Sequence, residues 1–163
     1  GDEITLNIWR YLVSESIEHF NQIYQRLGVL LTEDDNCPES FYNPQLPDVI
    51  EALQKKNMLA LSEGATVVFL EGFKDREDKP LPMIVRKSDG GYLYATTDLA
   101  AARYRINKLN ADRVIYITDS RQSQHFAMLF AALRKTEWVG DSVRLDHMPF
   151  GSVLGGTILL PRS

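Results

Sequence analysis

Between Ile4 and Leu27 apolar residues return every three to five positions, at Ile4, Ile8, Leu12, Ile17, Phe20, Ile23, Tyr24 and Leu27, with Glu15, Glu18 and Arg26 between them. That spacing makes one apolar stripe on a helix. It predicts a single long amphipathic helix stopped at Gly28, because glycine takes the left-handed backbone beyond a last helical turn at least cost. Acidic and turn residues from Val29 to Asn43 read as a connector. Helical spacing resumes from Leu46 to Lys56, with Pro47 and Asp48 suited to a first turn.

The period then shortens. Leu59 to Ser62, Ala65 to Leu70, Leu81 to Lys87 and Gly91 to Ala95 are short apolar or β-branched runs separated by Gly, Pro, Asp and Lys. They predict an antiparallel meander. After Ala95 helical and strand patterns alternate: a helix from Thr96 to Leu109, a buried strand from Arg113 to Thr118, a helix from Gln122 to Trp138 and a strand from Val143 to Met148. Such alternation is the mark of a parallel α/β sheet. The region from about Val29 to Lys87 is then an insertion or side layer on that α/β half. Thr96 or Thr97 is the expected cap of the first of these helices, with Asp98 in its positive first turn.

Composition narrows the function classes. With 163 residues, 44% of them hydrophobic, the chain can bury an ordinary core, and the length favours one domain. A formal net charge of −4 lacks the basic excess that phosphate backbones attract, so contact with nucleic acid should be local or supplied by another domain. The single cysteine, Cys37, has no intrachain partner and no cationic neighbour in sequence to activate it. No apolar run approaches the roughly 20 residues that span a bilayer, and the N-terminus does not read as a signal segment. A soluble, reducing, cytoplasmic setting is the expectation. His19, His125 and His147 are too scattered for the usual zinc spacings, and no bound metal is expected.

Three loops could carry chemistry, since ligands of open α/β sheets sit beyond the carboxyl ends of the strands. The first is Gly90 to Asp98, where a carboxylate with no basic neighbour in sequence could bind an ammonium or guanidinium group beside Tyr94. On spacing alone, stabilising a helix N-terminus is the better account of Asp98. The second is Thr118 to His125, which offers backbone N–H groups, Arg121 and His125 to an anion; Asp119 and Ser120 could equally be caps. The third is His147 to Gly155, whose Gly151 and Gly155 would let backbone approach a flat ligand. Neither a Walker loop nor a Gly-x-Gly-x-x-Gly fingerprint occurs.

The residues themselves resemble a known family. Lys87-Ser88-Asp89-Gly90-Gly91-Tyr92-Leu93-Tyr94-Ala95-Thr96-Thr97-Asp98-Leu99-Ala100-Ala101, followed by Arg103-Tyr104-Arg105, is similar almost residue for residue to the central signature of the class I arginyl-tRNA synthetases. Glu39-Ser40-Phe41-Tyr42-Asn43, Glu63-Gly64-Ala65, Phe69-Leu70-Glu71-Gly72-Phe73, Asp119-Ser120-Arg121-Gln122, His125-Phe126 and Phe150 to Gly155 extend the likeness across nearly the whole chain. The resemblance implies an α/β fold: a partial Rossmann-like parallel sheet with an inserted, partly antiparallel β/α region. It implies arginine held by Tyr94, Asp98 and Gln122, with Asp98 pairing the guanidinium, which reverses the bland account of Asp98. It places His125, Phe150, Gly151 and Val153 at the adenosine end of ATP. The implied reaction is attack of the arginine carboxylate on the α-phosphorus of ATP, with Mg2+, and transfer of arginine to its tRNA. Positioning and charge stabilisation would supply most of the catalysis.

The departures set further expectations. No His-x-Gly-His helix start occurs, and Gly156 to Ser163 holds no lysine where the family carries a Lys-Met-Ser-Lys-Ser type loop. The chain is therefore expected to be an internal fragment: residues 1–28 a helix after the first half of the nucleotide fold, 29–90 the insertion, 91–155 the second half, and 156–163 an atypical tail. No catalytic residue is assigned, and the isolated chain is expected to be inactive. A missing central strand would expose apolar surface and lead the fragment to self-associate. A non-catalytic module binding arginine or a partner protein, and a purely structural domain, are the alternatives.

Overall fold

The computed structural model describes residues 2–151, 154–155 and 158–159, and the chain separates into two compact units, residues 1–37 and 38–163. In the first unit, helix α1 spans Glu3–Leu27. Asp2 caps it, accepting from the Thr5 amide at 2.9 Å and the Thr5 hydroxyl at 2.6 Å. Gly28 ends it at φ 68°, as the glycine implied. No residue of α1 is buried, so its apolar stripe is exposed. A single 3-10 turn, Glu33–Asp35, follows.

The second unit begins with a 3-10 segment, Glu39–Gln45, and helix α2, Leu46–Lys55. Strands β1 (Leu59–Ser62), β2 (Ala65–Lys74) and β3 (Pro80–Arg86) then form an antiparallel sheet in that order. Glu63 and Gly64 join the first two with φ 51° and 78°, the doubly left-handed two-residue turn that suits the twist of a hairpin. Helix α3 is Tyr94–Asn107, strand β4 Arg113–Asp119, helix α4 Ser123–Lys135 and strand β5 Arg144–Phe150. Strands β4 and β5 pair in parallel, from Arg113 opposite Arg144 to Asp119 opposite Phe150. Two-residue strands β6 (Leu154–Gly155) and β7 (Ile158–Leu159) pair antiparallel after them. The mixed α/β architecture, meander first and parallel pair second, is as the pattern predicts.

Three local expectations are corrected. Gly91 to Ala95 is no fourth strand: only Tyr92 bridges back to Arg86, and the helix opens at Tyr94. Thr96 and Thr97 do not cap α3. The residue before the helix is Leu93, whose carbonyl accepts from the Thr96 amide at 2.9 Å, while the buried Thr96 hydroxyl donates to the Val85 carbonyl of β3. Asp98 consequently sits beyond the first turn, where the field of the helix end has largely decayed. The helix predicted to run to Trp138 stops at Lys135, because the Thr136 hydroxyl turns back onto the carbonyls of Ala132 (2.9 Å) and Leu133 (3.0 Å) and Glu137 takes φ 58°.

The core of this unit is shared by both sheets and the helices between them. Val67, Val68 and Val85 of the antiparallel sheet, Leu99 and Ala100 to Ala102 of α3, and Leu129 and Leu133 of α4 are all 2% exposed or less. Four alanines on α3, Ala95 and Ala100 to Ala102, keep its buried face small, so neighbouring backbones approach closely. Arg134 fixes the chain after α4 by donating to the carbonyls of Gly140 and Val143, each at 2.5 Å. Asp146 is pulled below its ordinary carboxyl range by hydrogen bonds from Arg113 and Arg144, of which the Arg113 bond ties β4 to β5 at the end away from the site.

On β4, Val114 and Tyr116 are buried and Ile115 and Ile117 are exposed. Met148 and Phe150 of β5 are more than half exposed as well. Parallel strands ordinarily have both faces covered. Among the described residues, no helix is long and apolar enough to cross a membrane.

Candidate functional site

The carboxyl end of β4 runs into a short 3-10 turn, Ser120–Gln122, and that turn into α4. Asp119 shapes this corner. Its carboxylate accepts from the Arg121 amide at 2.8 Å and holds the Arg121 guanidinium at 2.7 and 2.6 Å, which also raises the arginine's pKa. Gln122 is the exposed residue at the head of α4, and His125 falls in that helix's first turn.

Helix α3 brings Tyr94 and Asp98 to the same place. The Nε2 of His125 lies 2.6 Å from Asp98 Oδ2, joining residues 27 positions apart. An ionised carboxylate accepts only, so the proton of this hydrogen bond belongs to the imidazole. The His125 side chain is 12% exposed and that of Asp98 30%, so the pair is shielded yet open to solvent on one side. Tyr94 meets the His125 ring edge to face at 4.8 Å, and Phe126 does so at 5.0 Å. Beneath them Tyr116 packs on Phe126 at 4.7 Å. Burial pushes the Tyr116 phenol up; Arg105 opposes that push, and the nearby charge of Asp98 adds to it. The phenol therefore stays neutral at physiological pH.

A crevice of about 290 Å³ opens beside these groups, walled by Met83 and Leu93 together with Tyr94, Arg121, Gln124 and His125. Tyr94 and His125 are thus the two nominated residues that face it. Asp98 and Gln122 are not in its wall; Asp98 adjoins it through His125. Arg121, which the sequence offered to an anion, is also a wall residue, and so is Gln124, which sequence reasoning left without a ligand role and whose only signal is its position in the first turn of α4. Phe150 closes β5 directly opposite Asp119, at the same carboxyl edge of the parallel pair, and Gly151 follows it, exposed. Val153 lies outside the described residues. At that edge Thr118 Oγ1 is 2.8 Å from His147 Nε2, and His147 stacks on Phe126 at 4.7 Å. Among the described residues no group of three or more His, Cys, Asp or Glu is arranged to hold a metal ion.

Chemically the arrangement offers a shielded carboxylate, fixed by a neighbouring imidazole, beside an aromatic wall and a crevice at the carboxyl ends of parallel strands. Comparison with known proteins decides the family. The family model described as tRNA synthetases class I (R), catalytic domain, matches residues 1–158. The chain belongs to this family. An arginine–tRNA ligase of Nostoc sp. is 56% identical over 95% of the chain, and one of Hahella chejuensis is 50% identical over the same share. The chain spans about a quarter of the length of these curated relatives, 26% and 27% respectively. Among solved structures, the arginyl-tRNA synthetase of Plasmodium falciparum superposes with a TM-score of 0.81 at 36% identity, covering 94% of this chain and 26% of that one. The Thermus thermophilus arginyl-tRNA synthetase shares the fold, with a TM-score of 0.54 at 16% identity over 66% of this chain and 24% of that one.

Proposed function

We propose that this synthetase-family chain forms the amino-acid-recognising part of an arginine–tRNA ligase. Arginine is held by Tyr94, Asp98 and Gln122, and the adenosine end of ATP lies toward Phe150, Gly151 and Val153. The observation that carries the reading is Asp98: a carboxylate with no Lys or Arg ion pair among the described residues, held by an imidazole against which Tyr94 packs, in a chain of this family. A guanidinium is the cation that fits, because its forked N–H groups match a carboxylate in geometry as well as charge. In this reading residues 91–155 are the second half of a Rossmann-like domain, 29–90 its insertion, and Mg2+ accompanies the ATP phosphates without a ligand from this chain. The tRNA is engaged by the whole protein, in the cytoplasm. A non-catalytic binding module or a purely structural domain draws no support from relatives that carry ligase names across 95% of the chain.

Exchange of pyrophosphate into ATP tests the reading. The full-length protein is expected to catalyse it with L-arginine and not with lysine or citrulline, and the 163-residue chain alone is expected to show none. Exchange supported equally by another amino acid would refute the arginine assignment. The exposed Ile115, Ile117, Met148 and Phe150 carry a second expectation, that the isolated chain self-associates. A single monomeric boundary in sedimentation velocity at high protein concentration would count against it.

A further inference from the structure

The resemblance assigns His125 to the nucleotide, while its contacts are with Asp98, Tyr94 and Phe126. Its Nε2 is spent on Asp98 Oδ2 at 2.6 Å, and its ring is held between Tyr94 and Phe126. We infer that His125 is a positioning residue for the amino acid: it fixes the Asp98 carboxylate for the substrate guanidinium and takes no part in holding ATP. The inference rests on the arginine reading of Asp98 proposed above.

The physical case has three parts. A carboxylate has about four lone-pair sites, and His125 occupies one, leaving Oδ1 and the rest of Oδ2 for a forked pair of guanidinium N–H donors. A partly exposed aspartate without a fixed neighbour samples several rotamers, and binding must then freeze one; holding it beforehand removes that cost. The choice of imidazole also matters. A lysine or arginine here would hold the carboxylate equally well but would cancel the charge that the incoming cation needs. An imidazole can donate while uncharged, so the carboxylate keeps its charge for the ligand. The support is itself rigid, because the His125 side chain is 12% exposed and sits in the first turn of α4.

The test is steady-state pyrophosphate exchange by the full-length protein with His125→Ala, His125→Gln and Asp98→Ala. His125→Ala is expected to raise the KM for L-arginine about tenfold, the loss expected when a hydrogen bond to a charged group is removed, while the KM for ATP stays within about twofold. Glutamine can bring an amide N–H to roughly the position of the imidazole Nε2, so His125→Gln is expected to return the arginine KM to within about threefold of wild type. A raised ATP KM with an unchanged arginine KM would overturn the inference, as would a glutamine variant no better than alanine. If Asp98→Ala raises the arginine KM and His125→Ala does not, this inference alone fails; if Asp98→Ala leaves it unchanged, the arginine reading fails first. Nitrogen-15 chemical shifts of the wild-type imidazole provide a readout that needs no variant to fold. They are expected to report the Nε2-protonated tautomer, and a ring protonated only at Nδ1 would overturn the inference.

Discussion

Replacing Asp98 by alanine in the full-length protein is expected to raise the arginine KM by about 30- to 100-fold while changing the KM for ATP little. The magnitude follows from the environment of the carboxylate. Removing one partner of a desolvated, hydrogen-bonded charge pair typically costs about 2–5 kcal/mol. Asp98 is 30% exposed before a ligand arrives, which places it near the bottom of that range, at about 2–2.8 kcal/mol. Since about 1.4 kcal/mol is tenfold in affinity, the expected loss is one to two orders of magnitude. Asparagine is the sharper variant, because it keeps the volume and an acceptor but not the charge. Asp98→Asn should therefore fall close to alanine in arginine KM, with the melting temperature closer to wild type. Titration of L-arginine in the exchange assay, with ATP saturating, makes the measurement. An arginine KM within twofold of wild type for both variants would mean that the guanidinium is bound elsewhere.

The elements were legible in the sequence wherever local pattern and tertiary demand agree. The stripe from Ile4 to Leu27 and the stop at Gly28 describe α1 within a residue of its ends, because caps and period are both local. The strands of the meander were readable for the same reason. Reading failed at Gly91 to Ala95, whose aromatic alternation favours a strand. There the Thr96 hydroxyl is drawn to the Val85 carbonyl, and the helix starts two residues earlier than the threonine signal suggested. It failed again at Thr136, where a side chain bonding back to its own helix ends what hydrophobic spacing would have continued to Trp138.

The site divides along similar lines. Spacing could bring the head of α3 and the head of α4 to plausible ligand positions and offered Asp98 to a cation, but it favoured a helix-end role for that residue, and only the family signature reversed the preference. The contact between Asp98 and His125 was not legible at all. It joins two helices across 27 residues of sequence and depends on how α3 and α4 pack, which no local period encodes. The likeness of motifs placed His125 with ATP, and its hydrogen bond joins it to Asp98.

That packing can be loosened one turn away from the site. Leu129 is fully buried at 0% exposure and lies four residues after His125, on the same face of α4. Leu129→Ala is expected to destabilise this unit by about 2–5 kcal/mol, combining lost burial with the cavity left behind. For a chain of this size each kcal/mol is worth about 2–4 °C, so the melting temperature should fall by roughly 4–20 °C. Leu61→Ala, at a position 81% exposed, should stay within about 0.5 kcal/mol of wild type and serves as the control. If α4 is the support that holds His125 against Asp98, Leu129→Ala should also raise the arginine KM several-fold well below its melting temperature, with the ATP KM less affected. A lowered melting temperature with an unchanged arginine KM would show that the first turn of α4 is held by Tyr94 and Phe126 without help from the core beneath it. An unchanged melting temperature would contradict the packing of α4 itself.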